Sequence, residues 1–242
     1  MPRNSSLVRA LSVSRALAGV DPALLERIAT QTVHRCHARG DAIFTAGERA
    51  VVMGVVTSGL VRIHRPGGDG DTTVALFGPR ETLGNLAVCD GGAYPVTAVA
   101  AVDDTWVARV DADLVRELAA RDLAVAQGMI RALADHARAL HTKLGISSAG
   151  SVEKRLVMLF LHLLERFGDQ LSDGRWIIPV TLTRAELAAL VDATIETTIR
   201  TVSRWQKRGL LSTGRDGFLL ADPEALRVLL DDVPESARTV AA

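Results

Sequence analysis

Cysteine, net charge and long apolar runs are all scarce in this chain of 242 residues, and each shortage excludes a class of protein. Cys36 and Cys89 are the only cysteines and stand far apart, which fits a reducing compartment and leaves no four-ligand zinc site or iron–sulfur cluster within one chain. Both are expected as small buried apolar groups. Basic and acidic residues balance at 28 each, so a general electrostatic grip on nucleic acid is excluded and any such binding must come from a local patch. No run approaches the roughly 18 uninterrupted apolar residues of a membrane-spanning helix. The segment up to Gly19 carries Arg3, Arg9 and Arg15 without an acid, and these arginines break every apolar run before it reaches signal length. Residues 1–16 therefore read as a flexible tail on a cytoplasmic protein. No nucleophile elbow, phosphate loop or metal-ligand set appears, so an enzyme is not expected.

What is present is organisation. Apolar residues make up 48% of the chain, and its length suits two domains. Asp21 and Pro22 open a short amphipathic helix that places Leu24, Leu25 and Ile28 on one face. From Val33 to Val110 short β-rich runs alternate with glycine turns: Ala42–Thr45, Val51–Val56, Leu60–Ile63, Thr72–Phe77 and Val96–Ala100. Their spacing suits a compact antiparallel roll over residues 17–112, with turns at Gly40-Asp41, Gly47-Glu48, Ser58-Gly59 and Pro66 to Gly70. Leu114, Leu118, Val125, Met129, Leu133, Ala137, Leu140 and Leu144 then follow a helical period, predicting one long helix over 113–149. Such a helix, at about 45 Å, outruns a small barrel, so its spare face is expected to meet a second copy. Gly150-Ser151 ends the pattern, and an apolar helix begins at Val152. Residues 168–174 read as a polar loop, 150–222 as a small second domain and 223–242 as a C-terminal extension. The fold class is α+β.

Residues 180–221 carry the strongest signal. Thr183-Arg-Ala-Glu186 has the capping-box spacing at a helix start, and Leu187, Leu190 and Val191 give that helix its buried face. A tight Asp192-Ala193 turn leads to Thr194, which caps a second helix running through Arg208 with Ile195, Ile199 and Val202 as its inward stripe. Two short helices around such a turn make a helix-turn-helix, whose second helix presents its first residues to DNA base edges. Glu196, Thr197 and Arg200 stand there. Arginine grips guanine bidentately, glutamate accepts from cytosine and a threonine methyl meets that of thymine. Glu196 and Arg200 are also spaced as an ion pair one turn apart. Thr183, Arg184, Thr194, Arg204 and Lys207 flank this surface as phosphate and positioning contacts. Gly209 to Leu220 reads as a β-hairpin wing with Arg215 at its tip.

In this order the parts resemble the Crp/Fnr family, that of the cyclic-AMP receptor protein and the fumarate–nitrate reduction regulator. The resemblance spans residues 17–221 and rests on Gly40-Asp-Ala-Ile-Phe-Thr-Ala-Gly-Glu48, Val56-Thr-Ser-Gly-Leu-Val-Arg62, Thr183-Arg-Ala-Glu-Leu-Ala-Ala-Leu-Val191, Glu196-Thr197 and Arg200. It implies a cyclic-nucleotide-binding-like β-roll, a homodimer zipped along the long helix and a C-terminal winged helix-turn-helix on a palindromic site in double-stranded DNA. RNA polymerase is an implied partner if the protein activates; a membrane is not. The Ile195-Glu-Thr197 run is similar to the fumarate–nitrate branch, whereas Ile199 departs from the small residue of both branches.

At the implied effector pocket the resemblance weakens. Gly84-Asn85-Leu86 has asparagine where cyclic-nucleotide binders carry an acid for the ribose, and Pro95-Val96 replaces their arginine–serine for the phosphate. Leu140 and His141 stand where the cyclic-AMP branch places hydroxyls. Ordinary cyclic AMP is therefore not expected, although Arg62, Arg65 or Arg80 can bring charge from elsewhere in the chain. The amino-terminal cysteine group of an iron–sulfur sensor is missing. Haem ligation has only His34, His37, His64, His136 and His141 to draw on, each read as an ordinary histidine, and the His34/His37 pair lacks an acidic third ligand. The effector stays unknown. The competing account is an effector-binding module, for a cyclic nucleotide, cyclic dinucleotide or haem, whose C-terminal helices serve protein–protein contact.

Overall fold

Alternation of apolar and polar residues at a period of two sets the first architecture. A computed structural model of the chain describes residues 2–65 and 72–231, so the turn expected at Pro66 to Gly70 lies outside the described residues. Strands β1 (Val33–His37), β2 (Ala42–Phe44), β3 (Val52–Ser58), β4 (Val61–Arg65), β5 (Thr72–Phe77), β6 (Thr82–Leu83), β7 (Thr97–Ala100) and β8 (Thr105–Asp111) form two antiparallel sheets, in the orders β1-β8-β3-β6 and β2-β7-β4-β5. On β4, Val61 and Ile63 are buried while Arg62 and His64 alternate with them, and on β8 Val107, Ala108 and Val110 are buried. Met53, Val55, Val61, Ile63, Ala98 and Val107 meet in one core. This is the expected β-roll, with β1, β6 and β8 added to the five runs picked out in the sequence.

Helix α1 (Pro2–Ser12) corrects the expected flexible tail. Leu7 and Leu11, one turn apart, are buried in the roll's core, and exposed Arg9 is the polar face of an amphipathic helix rather than an interruption. Helix α2 (Pro22–Thr30) starts as predicted, with the Asp21 carboxylate accepting from the amides of Ala23 and Leu24. A short α3 (Asn85–Asp90) follows β6.

The single long helix expected over 113–149 is two helices, α4 (Ala112–Arg121) and α5 (Leu123–Ser147). Asp122 separates them: its backbone is extended, at φ −122° and ψ 118°, and its carboxylate accepts from the Val125 amide at 3.0 Å, which starts the next helix. A capping residue hidden inside an apolar period is invisible to periodicity alone. Within α5 the expected stripe also splits, because Val125, Met129 and Ala132 enter the core whereas Leu140 and Leu144 are exposed together with Leu123 and Ile130.

The segment after α1 is strapped to α5. Arg15 pairs with Asp135 at 2.8 Å and Arg131 donates to the Ala18 carbonyl at 2.7 Å. Between these contacts the chain presses on Gly128, where a Cβ would stand 1.8 Å from the Ala16 carbonyl oxygen. Glycine in mid-helix, ordinarily destabilising, is here the condition of close approach.

The chain divides within α5 into two units, residues 1–140 and 141–242. In the second, α6 (Val152–Phe167) is capped by Ser151 and precedes α7 (Arg184–Leu190) and α8 (Ile195–Lys207). The loop expected at 168–174 folds into a hairpin of β9 (Asp169–Gln170) and β10 (Trp176–Ile178), which joins β11 (Leu211–Gly214) and β12 (Gly217–Leu220) in the order β11-β12-β10-β9. The expected extension begins as a ninth helix, α9 (Pro223–Asp231), with Leu226 and Leu229 buried, and residues 232–242 lie outside the described residues. Both cysteines, expected inside, are exposed free thiols. Among the described residues no helix is long and apolar enough to cross a membrane.

Two glycines of α5 give a matched test. Gly128→Ala should destabilise the protein by about 1 to 3 kcal/mol through overpacking against Ala16, whereas Gly145→Ala, with open space around the new Cβ, should stabilise it by about 0.4 to 1 kcal/mol. Denaturant melts of the two variants check the opposite signs.

Candidate nucleic-acid interface

The second unit is organised around the rings of Phe160, Trp205 and Phe218, all fully buried. Phe160 meets Trp205 edge-on at 5.9 Å between centroids and Phe218 at 5.0 Å. The Trp205 indole donates to Glu153 on α6 at 2.9 Å, so its one polar atom is satisfied on burial. This anchor sets the rotation of α8. Its inward residues are Thr198, Thr201, Val202 and Trp205, while Ile195 and Ile199 are 45% and 44% exposed. The expected inward stripe of Ile195, Ile199 and Val202 is therefore corrected at its first two positions. Burial of Thr198 is tolerated because its hydroxyl donates back to the Thr194 carbonyl at 3.0 Å. Trp205 was the available signal: stepping back from it by helical turns gives 201 or 202 and then 198, not 199.

The start of α8 follows the predicted chemistry. Thr194 is its N-cap, accepting from the Thr197 amide at 3.3 Å and donating to the Thr197 hydroxyl at 3.0 Å. Glu196 and Arg200 are exposed on the outer face beside the two isoleucines. Among the described residues the ion pair anticipated between them does not form. The capping box of α7 is complete, with the Glu186 carboxylate accepting from the Thr183 amide at 2.7 Å and the Thr183 hydroxyl accepting from the Glu186 amide at 3.2 Å.

The flanking cations divide into engaged and free. Arg204 pairs with Glu153 at 2.7 Å. Arg184 donates to the Thr213 hydroxyl at 3.2 Å, a group that also receives Gln206 at 3.3 Å, so this threonine ties the hairpin to α7 and α8. Burial lowers the Arg184 guanidinium below its ordinary pKa. Lys207 and Arg215 are exposed, Arg215 at the tip of the β11–β12 turn. That hairpin needs Gly217, at φ +133°, because a Cβ there would stand 2.0 Å from the Ile178 carbonyl oxygen.

The expected effector residues lie on separate elements. Gly84 precedes α3; Asn85 is buried and donates to the Thr82 hydroxyl at 2.7 Å, leaving its side-chain oxygen without a partner, and Leu86 is exposed. Pro95 is exposed and Val96 half-buried. Next to Pro95 stands Tyr94, buried, stacked on Phe44 at 3.9 Å and hydrogen-bonded through its hydroxyl to both the amide and the carbonyl of Val52. Leu140 and His141 are exposed on α5. His34 packs against Trp106 with the two rings tilted at 46° and bonds Thr57, and His37 is buried with neither ring nitrogen partnered. Among the described residues no group of three or more His, Cys, Asp or Glu side chains is placed to hold a metal.

Comparison with known proteins agrees with both halves. Residues 34–122 match the cyclic nucleotide-binding domain family and residues 154–229 the Crp-like helix-turn-helix domain family. The chain is 27% identical over 209 residues to the CRP-like cAMP-activated global transcriptional regulator of Mycobacterium tuberculosis, covering 86% of this chain and 92% of that one. It is 22% identical over 191 residues to the fumarate and nitrate reduction regulatory protein of Escherichia coli, covering 79% and 76%. In fold it is similar to FixK2 from Bradyrhizobium japonicum, with a TM-score of 0.70, 20% identity and coverage of 82% and 96%. A CRP-family transcriptional regulator from Thermus thermophilus follows at 0.68, 23% identical, with coverage of 84% and 100%. A cyclic nucleotide-binding fold ahead of a Crp-like helix-turn-helix, together spanning more than half the sequence, makes this chain a member of the Crp/Fnr family of transcription regulators.

Proposed function

We propose that the protein is a cytoplasmic homodimer that reads a palindromic promoter site through α8, with Glu196, Thr197 and Arg200 on base edges. The observation that carries this reading is the outer face of α8, where Glu196 and Arg200 stand exposed beside Ile195 and Ile199 on a helix whose inner face is held by Trp205. Exposed isoleucine methyls suit the thymine methyl group. Thr183, Arg184, Thr194, Lys207 and Arg215 serve as positioning and phosphate contacts. Arg204 joins them only by giving up Glu153. RNA polymerase is the further partner if the regulator activates.

Dimerisation is supported by α5. Leu123, Ile130 and Leu144 share one heptad position, whose remaining place holds Ala137, with Leu140 at the intermediate position, and the four large residues Leu123, Ile130, Leu144 and Leu140 are 73%, 65%, 66% and 49% exposed. Apolar residues in that pattern are what a two-stranded coiled coil buries.

The sensor's residues do not fit an ordinary cyclic nucleotide. A cyclic phosphate buried in protein needs a matching cation and donors, and exposed Pro95 with apolar Val96 offers no side-chain cation or donor where the family's arginine–serine stands. Arg62 sits on the opposite side of β4 from the roll's core, and Arg65 and Arg80 are exposed. Asn85 keeps a buried acceptor but no negative charge.

Arg200→Ala should cost about 1 to 3 kcal/mol on the specific site and flatten discrimination at one base pair per half-site, as measured by fluorescence anisotropy on a set of single-substituted duplexes. Equal binding by variant and wild type removes the base-reading assignment. Ile130→Glu combined with Leu144→Glu should yield monomers by sedimentation and abolish binding to the two-half-site duplex. Cyclic AMP should leave the melting temperature unchanged, since a true ligand at a hundred times its dissociation constant would add about 2.7 kcal/mol.

A further inference from the structure

The turn between α7 and α8 contains a residue in an unusual backbone state. Asp192 has φ +49°, in the left-handed region that glycine occupies without penalty and that aspartate tolerates better than most side chains. Its side chain is therefore expected to return something that glycine cannot. The carboxylate accepts from the Ser147 hydroxyl and from the Lys143 ammonium at 3.3 Å, both on the last two turns of α5. The same ammonium donates to the Leu190 carbonyl at 2.5 Å. From α6, one nitrogen of Arg155 donates to the carbonyls of Val191 and Asp192, each at 2.8 Å. Carbonyls at a helix end that lack intrahelical donors are thus supplied by two cations from neighbouring helices. Burial alone would raise the Asp192 pKa, but the Ser147 hydrogen bond and the charges of Lys143 and Arg155 hold it below the ordinary carboxylate value. A lone exposed ion pair contributes little. Here one residue gathers donors from two helices on the turn from which the recognition helix departs.

We propose that Asp192 is a positioning residue for DNA recognition, acting through Lys143, Ser147 and Arg155 to fix the direction of α8 against the end of α5. Its effect on binding rests on the reading of α8 given above; its effect on the turn does not. Because Leu144 of the exposed apolar seam lies on the same turn of α5 as Lys143, the clasp ties the reading helix directly to the surface where two copies meet, and so sets the separation of two recognition helices.

Asp192→Gly keeps the backbone state and removes the carboxylate, and Lys143→Met removes the ammonium while keeping its stem. Each should weaken specific binding about tenfold, a change of ~1.4 kcal/mol. The double variant should lose less than the product of the two single losses, as expected of two groups that share a contact, and Lys143→Arg should restore near wild-type binding. Melting temperatures should stay close to wild type. Hydrogen exchange at the amides from Ala193 to Thr198 should quicken in both single variants. Wild-type affinity in Asp192→Gly, or losses that multiply in the double variant, overturns the proposal. If the wild-type protein shows no preference for any palindromic duplex, the base-reading assignment falls instead, and unchanged exchange in Asp192→Gly then overturns the clasp by itself.

Discussion

Everything that the second unit presents to a partner depends on where the Trp205 indole goes. A side chain of that size, fully buried against Phe160 and hydrogen-bonded to Glu153, leaves α8 one rotational setting. Once it is seated, Thr198, Thr201 and Val202 must face inward, and Ile195, Glu196, Ile199 and Arg200 must face out. The same contact places Glu153 against Arg204, which pairs with it while staying exposed. Packing and charge at the interface are thereby decided together.

Much of this was legible in the sequence wherever chemistry is local. The Thr183 capping box, the Thr194 cap, the Asp21-Pro22 start and the glycine-bounded wing each depend on residues within a few positions of one another. What escaped depended on distant partners. Ile195 and Ile199 look like core residues until Trp205 sets the phase, and Arg9 looks like an interruption until Leu7 and Leu11 find the roll. Asp122 is a cap inside an apolar period, and Gly128 looks like a weak point until Ala16 lies against it. Except at Asp122, whose cap is local but concealed by the apolar period, tertiary contact overrode a local preference.

The two units carry their polar groups differently. Around Asn85 the first unit keeps the family scaffold, but Tyr94 fills the interior of the roll with a ring whose hydroxyl is already engaged by Val52. In the second unit, by contrast, Glu196, Arg200, Lys207 and Arg215 stand toward solvent. The first arrangement is that of a packed interior and the second that of a surface prepared for a partner.

The chain's 28 basic and 28 acidic residues balance, and Arg184 and Arg204 are already engaged by Thr213 and Glu153, which reduces the charge left free for phosphates. Sequence-independent attraction to DNA is supplied mainly by such contacts, and a genome offers on the order of a million or more competing sites. If α8 reads DNA as proposed, each cation engaged within the protein lowers that bulk attraction, and fewer copies of the protein are then needed to keep a true site occupied.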